Sequence, residues 1–167
     1  IKGTRLSKNE IHFLKKYKPW GVILFSRNIK SINQTYKLTS KIKNIFKDKN
    51  YPILIDEEGG RVSRLNKFID NSSFSSEFFN KLYNKDKKRF YTYYSTYTKQ
   101  ISYLLNLLGI NINTVPVLDV RRKFTNKIIG NRSFSKNPHI VSKLGKICIK
   151  KFHENNIGTV IKHIPGH

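Results

Sequence analysis

Apolar residues along the chain fall into two alternating patterns: short continuous runs, and positions spaced three to four residues apart. The continuous runs, rich in β-branched residues, predict strands buried on both faces. They are WGVILF (20–25), YPILIDEE (51–58), ININTVPVLDV (110–120) and GTVIKH (158–163). The spaced runs predict amphipathic helices. SKNEIHFLKKY (7–17) opens with Ser7 and Glu10, a capping box in which hydroxyl and carboxylate each satisfy an orphan N–H. SINQTYKLTSKIKNIFK (31–47) repeats the device with Ser31 and Gln34, and places Leu38, Ile42 and Ile45 on one face. Residues 86–109 carry Phe90, Tyr94, Tyr97, Ile101, Leu104 and Leu108 at helical spacing. That stripe reads as core packing rather than a cofactor or base-stacking platform, and Gly109 suits the position that ends the helix. Residues 137–158 begin with Asn137 as N-cap and Pro138 in the first turn, and turn Ile140, Leu144, Ile147 and Cys148 inward. The stretch 66–84 is polar and is assigned no element.

Buried strands alternating with helices predict a parallel α/β sheet. Both an open doubly wound sheet and a (β/α)₈ barrel fit that order. Polar groups follow every strand: Arg27 and Asn28, then Asp56 to Arg64, then Asp119, then Lys162 and His163. In a barrel all strand ends face one site, whereas an open sheet gathers its binding groups at one switch point. The even spread favours the barrel. A barrel takes about 250 residues, so residues 1–167 are expected to be the N-terminal portion of one barrel domain, about its first half, stopping at IPGH after a strand.

Composition narrows the function classes. Hydrophobic content of 38% with 13% aromatics excludes a disordered chain. No apolar run is long enough to span a bilayer, and IKGTRLSKNE lacks the apolar core of a signal peptide, so no membrane partner and a cytoplasmic location are expected. Cys148 stands alone and reads as a small buried hydrophobe, not a disulfide, zinc or nucleophile site. The net charge of +23 raises nucleic-acid binding. The lysines are scattered through every segment without an RNA- or DNA-binding motif, so the excess is read as compositional and no nucleic-acid partner is expected.

The chemistry concentrates in IDEEGGRVSRL (55–65), where three of the chain's ten acids adjoin two glycines and two arginines. Paired carboxylates suit glycosidase or general acid–base work, or a hard cation. On a strand Asp56 and Glu57 point to opposite faces, so Asp56 is expected in the pocket. Glu58 is expected to pair with Arg61 or to accept backbone N–H groups. Gly59 and Gly60 permit positive φ and a tight turn. No nucleotide-binding glycine pattern is present. His163 and His167 have metal-ligand spacing, but Pro165 and Gly166 between them forbid a helix, so no metal is expected. Lys162 and His163 at a strand end can donate to hydroxyl groups. His12, His139 and His153 read as ordinary helix residues.

Five blocks, in order, resemble the bacterial β-N-acetylglucosaminidases of glycoside hydrolase family 3: GVILFSRNI (21–29), IDEEGGRVSRL (55–65), INTVPVLDV (112–120), IGNRSFSKNP (129–138) and VIKHIPGH (160–167). The resemblance covers nearly the whole chain and implies a (β/α)₈ barrel. It places the family's sugar-binding positions on Asp56, Arg64, Arg132, Lys162 and His163. By this resemblance Asp56 accepts from two hydroxyls of one sugar while Arg and Lys donate charge-assisted bonds to others, and Glu57, Glu58 and Arg61 brace the turn between the clamps. It further implies retaining hydrolysis of terminal non-reducing N-acetylglucosamine from peptidoglycan-derived muropeptides, with no cofactor and a monomeric complete enzyme. The family's His acid/base and Asp nucleophile are expected after His167, so no catalytic residue is assigned here, and the isolated fragment is expected to be inactive and poorly folding. The alternatives are a β-glucosidase of the same family with another glycan, and a non-catalytic sugar- or nucleic-acid-binding protein.

Overall fold

The structure is a computed structural model and describes residues 1–123 and 127–167. Four short parallel strands form one sheet: β1 (Val22–Leu24), β2 (Ile53–Ile55), β3 (Ile112–Asn113) and β4 (Gly158–Thr159). Their spatial order follows the chain, β1-β2-β3-β4. A doubly wound sheet reverses direction at its switch point. A sheet that always steps the same way, with right-handed crossovers, keeps its helices on one face and curls toward a barrel. The described residues supply four of a barrel's eight strands, in agreement with the half-barrel expectation.

The helices are α1 (Lys8–Tyr17), α2 (Ile32–Phe46), α3 (Ser76–Lys85), α4 (Lys87–Leu107) and α5 (Pro138–His153). In β1 and β2 the outer residues Val22, Leu24, Ile53 and Ile55 are buried, while the central Ile23 and Leu54 are half-covered. Alternation therefore gives the sheet one face sealed by helices and one that lines the barrel interior. Ile42 of α2, Phe90, Ile101 and Leu105 of α4 and Leu144 and Phe152 of α5 seal the outer face.

The aromatic stripe is core. Phe90, Tyr94 and Tyr97 are buried and meet Phe79 of α3 with ring centroids 4.6–6.5 Å apart. Leu105, rather than Leu104, is the fully buried member of its turn. The first capping box forms in full between Ser7 and Glu10. The second forms in half: Ser31 Oγ accepts from Gln34, but the Gln34 side chain accepts from Lys30 N (2.8 Å) and donates to Thr4 and Asn28 carbonyls. It thereby ties α2 to the N-terminal segment instead of closing on its own cap.

Two expectations are revised. The stretch 66–84 holds all but the last residue of α3, which is capped by Ser75 and buries Phe79 and Tyr83. Their i, i+4 spacing was masked by the Ser and Asn residues around them. The strands are also shorter than the apolar runs. Beyond β3 the pairing thins to single contacts, with Lys162 N donating to Pro116 O (3.1 Å) and Leu118 N to Lys162 O (2.6 Å).

Candidate active site

β2 ends at Ile55, and the carboxylates begin at the next residue. Parallel register sets Ile55 against Asn113, and Thr114 N donates to Ile55 O (2.9 Å). Asp56 and Thr114 thus leave the sheet side by side. The Thr114 hydroxyl donates a very short hydrogen bond to Asp56 Oδ1. Lys162, carried to the same level by the pairing after β4, donates to Asp56 Oδ1 (2.9 Å) and to Thr114 Oγ1 (3.2 Å). Arg64 Nη2 lies 3.5 Å from the other Asp56 oxygen, with its guanidinium 5.6 Å from the centre of the Phe25 ring. Burial would raise the Asp56 pKa. The hydrogen bonds from Thr114 and Lys162, then the charges of Lys162 and Arg64, outweigh it and hold the carboxyl below its ordinary range.

The three consecutive acids do three different jobs. Glu58, two residues on from Asp56, aims at the same cluster. Its carboxylate takes a bidentate pair from Arg132, Nε at 2.8 Å and Nη2 at 2.9 Å, and stands 2.5 Å from Lys162 Nζ. Glu57 points the other way. It is 1% exposed and accepts from Arg64 N (2.7 Å), Leu65 N (3.0 Å), Ser63 Oγ (3.2 Å) and Asn71 Nδ2 (2.5 Å). Burial pushes its pKa up, and the donated hydrogen bonds offset only part of that. Behind it, Asn113 exchanges two hydrogen bonds with the Glu57 backbone (3.0 and 2.8 Å), continuing the sheet with a side chain where the strand has stopped.

The turn is confirmed and its bracing corrected. Gly59 and Gly60 have φ of +81° and +60°, and a Cβ on Gly59 would lie 2.4 Å from Phe74 O and 2.5 Å from Tyr97 Oη. Glu58 does not pair with Arg61, nor does its carboxylate cap backbone N–H groups; that second role belongs to Glu57. Arg61 reaches across to the carbonyls of Lys127 (3.0 Å) and Ile128. It therefore straps down the loop that carries Arg132, and Arg121 does the same further along by pairing with Glu77 of α3.

The fourth strand end brings a histidine. His163 Nδ1 lies 2.6 Å from Asp119 Oδ2, and because a carboxylate only accepts, the Nδ1 proton faces Asp119. The other Asp119 oxygen accepts from His167 N (2.8 Å). Burial would raise the Asp119 carboxyl, but the His163 hydrogen bond, then the His167 N–H, bring it below its ordinary range. The Lys162–His163 peptide is cis.

All five sugar-binding positions named from the sequence meet here. Asp56, Arg64 and Lys162 touch directly, Arg132 joins through Glu58, and His163 follows Lys162 with its ring held by Asp119. Thr114, Asn113 and Phe25 were missed. The signal for the first two was polar residues inside a buried strand, the Asn-Thr of NINTV. Among the described residues no group of three or more His, Cys, Asp or Glu could hold a metal ion. A surface groove of about 590 Å³ lies elsewhere, between Tyr36, Lys43 and Gly109. Of the ring side chains at the strand ends, His163 at 31% and Arg64 at 24% keep the most exposure.

Residues 2–167 match the description "Glycosyl hydrolase family 3 N terminal domain". A beta-hexosaminidase A of Pseudoalteromonas piscicida is 33% identical over 173 residues, covering 98% of this chain and 28% of that protein. A beta-hexosaminidase of Xanthomonas campestris pv. campestris is 29% identical over 167 residues, covering 100% of this chain and 49% of its own length. The solved structure of NagZ from Neisseria gonorrhoeae in complex with N-trifluoroacetyl-D-glucosamine superposes with a TM-score of 0.88 at 30% identity, over 100% of this chain and 49% of that one. The chain spans half or less of the length of these relatives. With the family match running almost from end to end and the half-barrel shared with solved members, the chain belongs to glycosyl hydrolase family 3, as part of its N-terminal domain.

Proposed function

We propose that this chain forms the sugar-holding side of an exo-acting β-N-acetylglucosaminidase that removes terminal non-reducing N-acetyl-β-D-glucosamine from peptidoglycan-derived muropeptides in the cytoplasm. The observation that carries the reading is the ring itself: a carboxylate flanked by Lys162 and Arg64, beside His163, at the strand-end face of a half-barrel. Asp56 has two oxygens to accept from vicinal hydroxyls. Arg64 and Lys162 donate to others, and each charge-assisted bond contributes roughly 1.5–3 kcal/mol. His163, with Nδ1–H committed to Asp119, presents Nε2 to the sugar. Lys162 has three oxygens within 3.2 Å, so a sugar hydroxyl takes over one of these contacts, and the Thr114 contact is the longest.

The beta-hexosaminidase names of the relatives and the sugar analogue bound to the gonococcal NagZ support this reading. In it the nucleophile and the acid/base belong to the remaining part of the barrel, which also walls the ring. Hydrolysis proceeds with retention, and the complete enzyme works as a monomer. No described helix is long and apolar enough to cross a membrane. The test is hydrolysis by the protein expressed from its complete gene, on chromogenic N-acetyl-β-D-glucosaminide and β-D-glucoside side by side. Release from the first, with the β-anomer formed first by proton NMR, is the expected result. Preference for the glucoside, or no hydrolysis of either, overturns the reading.

A further inference from the structure

The chain carries +23, and an unbalanced pocket in such a field collects small anions of any kind. The ring is not unbalanced. Arg64, Arg132 and Lys162 are matched by Asp56, Glu58 and Asp119, so with His163 neutral the formal charges sum to zero. Glu57 contacts only neutral donors on the far side of the strand and pairs with none of these cations.

Glu58 is the group on which this match depends. Its side chain is 3% exposed, against 12% for Arg132 and 14% for Lys162. Like Asp56 it contacts two ring cations, and it ties together Arg132 and Lys162, 30 residues apart in sequence. With Nε and Nη2 on Glu58 and Nη1 on Ile128 O (3.3 Å), the Arg132 fork is fixed, yet two of its five N–H groups remain to face a ligand. Asp56 differs, because one of its oxygens is only loosely held by Arg64 at 3.5 Å and its side chain, 19% exposed, is the most exposed of the three paired acids.

We propose that Glu58 is a positioning residue that sets the specificity of the site. It fixes Arg132 and Lys162 and cancels one of their charges, so the pocket takes an uncharged terminal sugar and rejects one bearing a carboxylate or phosphate. The proposal rests on the sugar-holding role of the ring given above. Removing the Glu58 charge leaves the ring one charge positive without changing its size, and an anionic sugar then gains a partner.

The probes are N-acetylglucosamine and N-acetylglucosaminuronic acid, in which a carboxylate replaces the C6 hydroxymethyl group at almost the same size. Binding is measured by titration calorimetry at low salt, with protein from the complete gene. The wild type is expected to favour the neutral sugar. In E58Q the ratio of affinities shifts toward the uronic acid by about tenfold or more, the scale of one uncompensated charge beside a ligand charge. In R132M, which removes a cation instead, it shifts the opposite way, so the test stands even where E58Q does not fold. The double variant E58Q/R132M returns the ratio toward wild type. A purely structural role would weaken both ligands equally and leave the ratio fixed in E58Q and R132M, which overturns the proposal while leaving the sugar-holding role intact. Wild-type protein that binds neither sugar overturns both.

Discussion

Glu57 is the group whose loss the structure prices most clearly. Its carboxylate accepts from two backbone N–H groups, Arg64 and Leu65, and from Asn71 and Ser63, at 1% exposure. Glu57→Ala removes every acceptor at once. The Ser63 hydroxyl can turn to another partner, but the two backbone donors and the Asn71 amide are stranded. At roughly 1–3 kcal/mol for each of these three buried unmet donors, the cost is about 3–9 kcal/mol, a large part of the 5–15 kcal/mol that holds a typical domain together. Glu57→Gln keeps an oxygen for the backbone N–H groups. Its new NH₂ faces Asn71, whose own Oδ1 is buried without a partner and becomes the acceptor once that amide turns over. The Gln variant is therefore expected within about 1 kcal/mol of wild type. Burial also raises the Glu57 pKa, so the folded state binds its proton more tightly than the unfolded chain does. That contribution is present at low pH and is lost as pH rises through the folded value, and Gln abolishes this dependence. Urea unfolding followed by far-UV circular dichroism at pH 7 measures both variants. Alanine and glutamine equally destabilising, or alanine within about 1 kcal/mol of wild type, would refute the account of the turn as built on this carboxylate.

Three further outcomes are expected. Gly59→Ala combines a φ of +81° with a Cβ 2.4 Å from a backbone carbonyl oxygen, and should lose about 2–4 kcal/mol in the same urea assay. Asp119 is held below the ordinary carboxyl range, so its contribution to stability is complete above that range and is lost as pH falls through its folded value. Asp119→Asn should accordingly show a smaller fall in urea midpoint than wild type as the pH is taken from 5 to below 3. The Cys148 thiol, 3% exposed and pushed up to about 12 by burial, should resist a thiol reagent at pH 8 in the native chain and react at once in urea; fast native labelling would contradict its place in the core.

Local pattern carried most of the fold. Among the described residues, continuous apolar runs located all four strands, and helical spacing with caps located four of the five α-helices, because each signal lies within one element. The helix α3 escaped because its two buried rings, Phe79 and Tyr83, sit among polar neighbours, and its burial is decided by Phe90 and Tyr94 on the next helix. In the site, Asp56, Lys162 and His163 were legible as strand-end groups on a barrel. The pairing of Glu58 was not. Its nearest cation in sequence is Arg61, but its partner is Arg132, 74 residues away, and only the meeting of three strand ends brings the two together. Arg61 shows the same limit, since its acceptors are carbonyls 66 and 67 residues away.

The central claim is that Asp56 and its cations hold a sugar. Titration calorimetry of N-acetylglucosamine into wild-type and Asp56→Ala protein, each expressed from the complete gene, tests it most directly. The account predicts saturable binding by the wild type and a loss of more than about a hundredfold in the variant, the equivalent of two charge-assisted hydrogen bonds at roughly 1.5–3 kcal/mol each. Equal affinity in the two proteins would place the sugar elsewhere and contradict it.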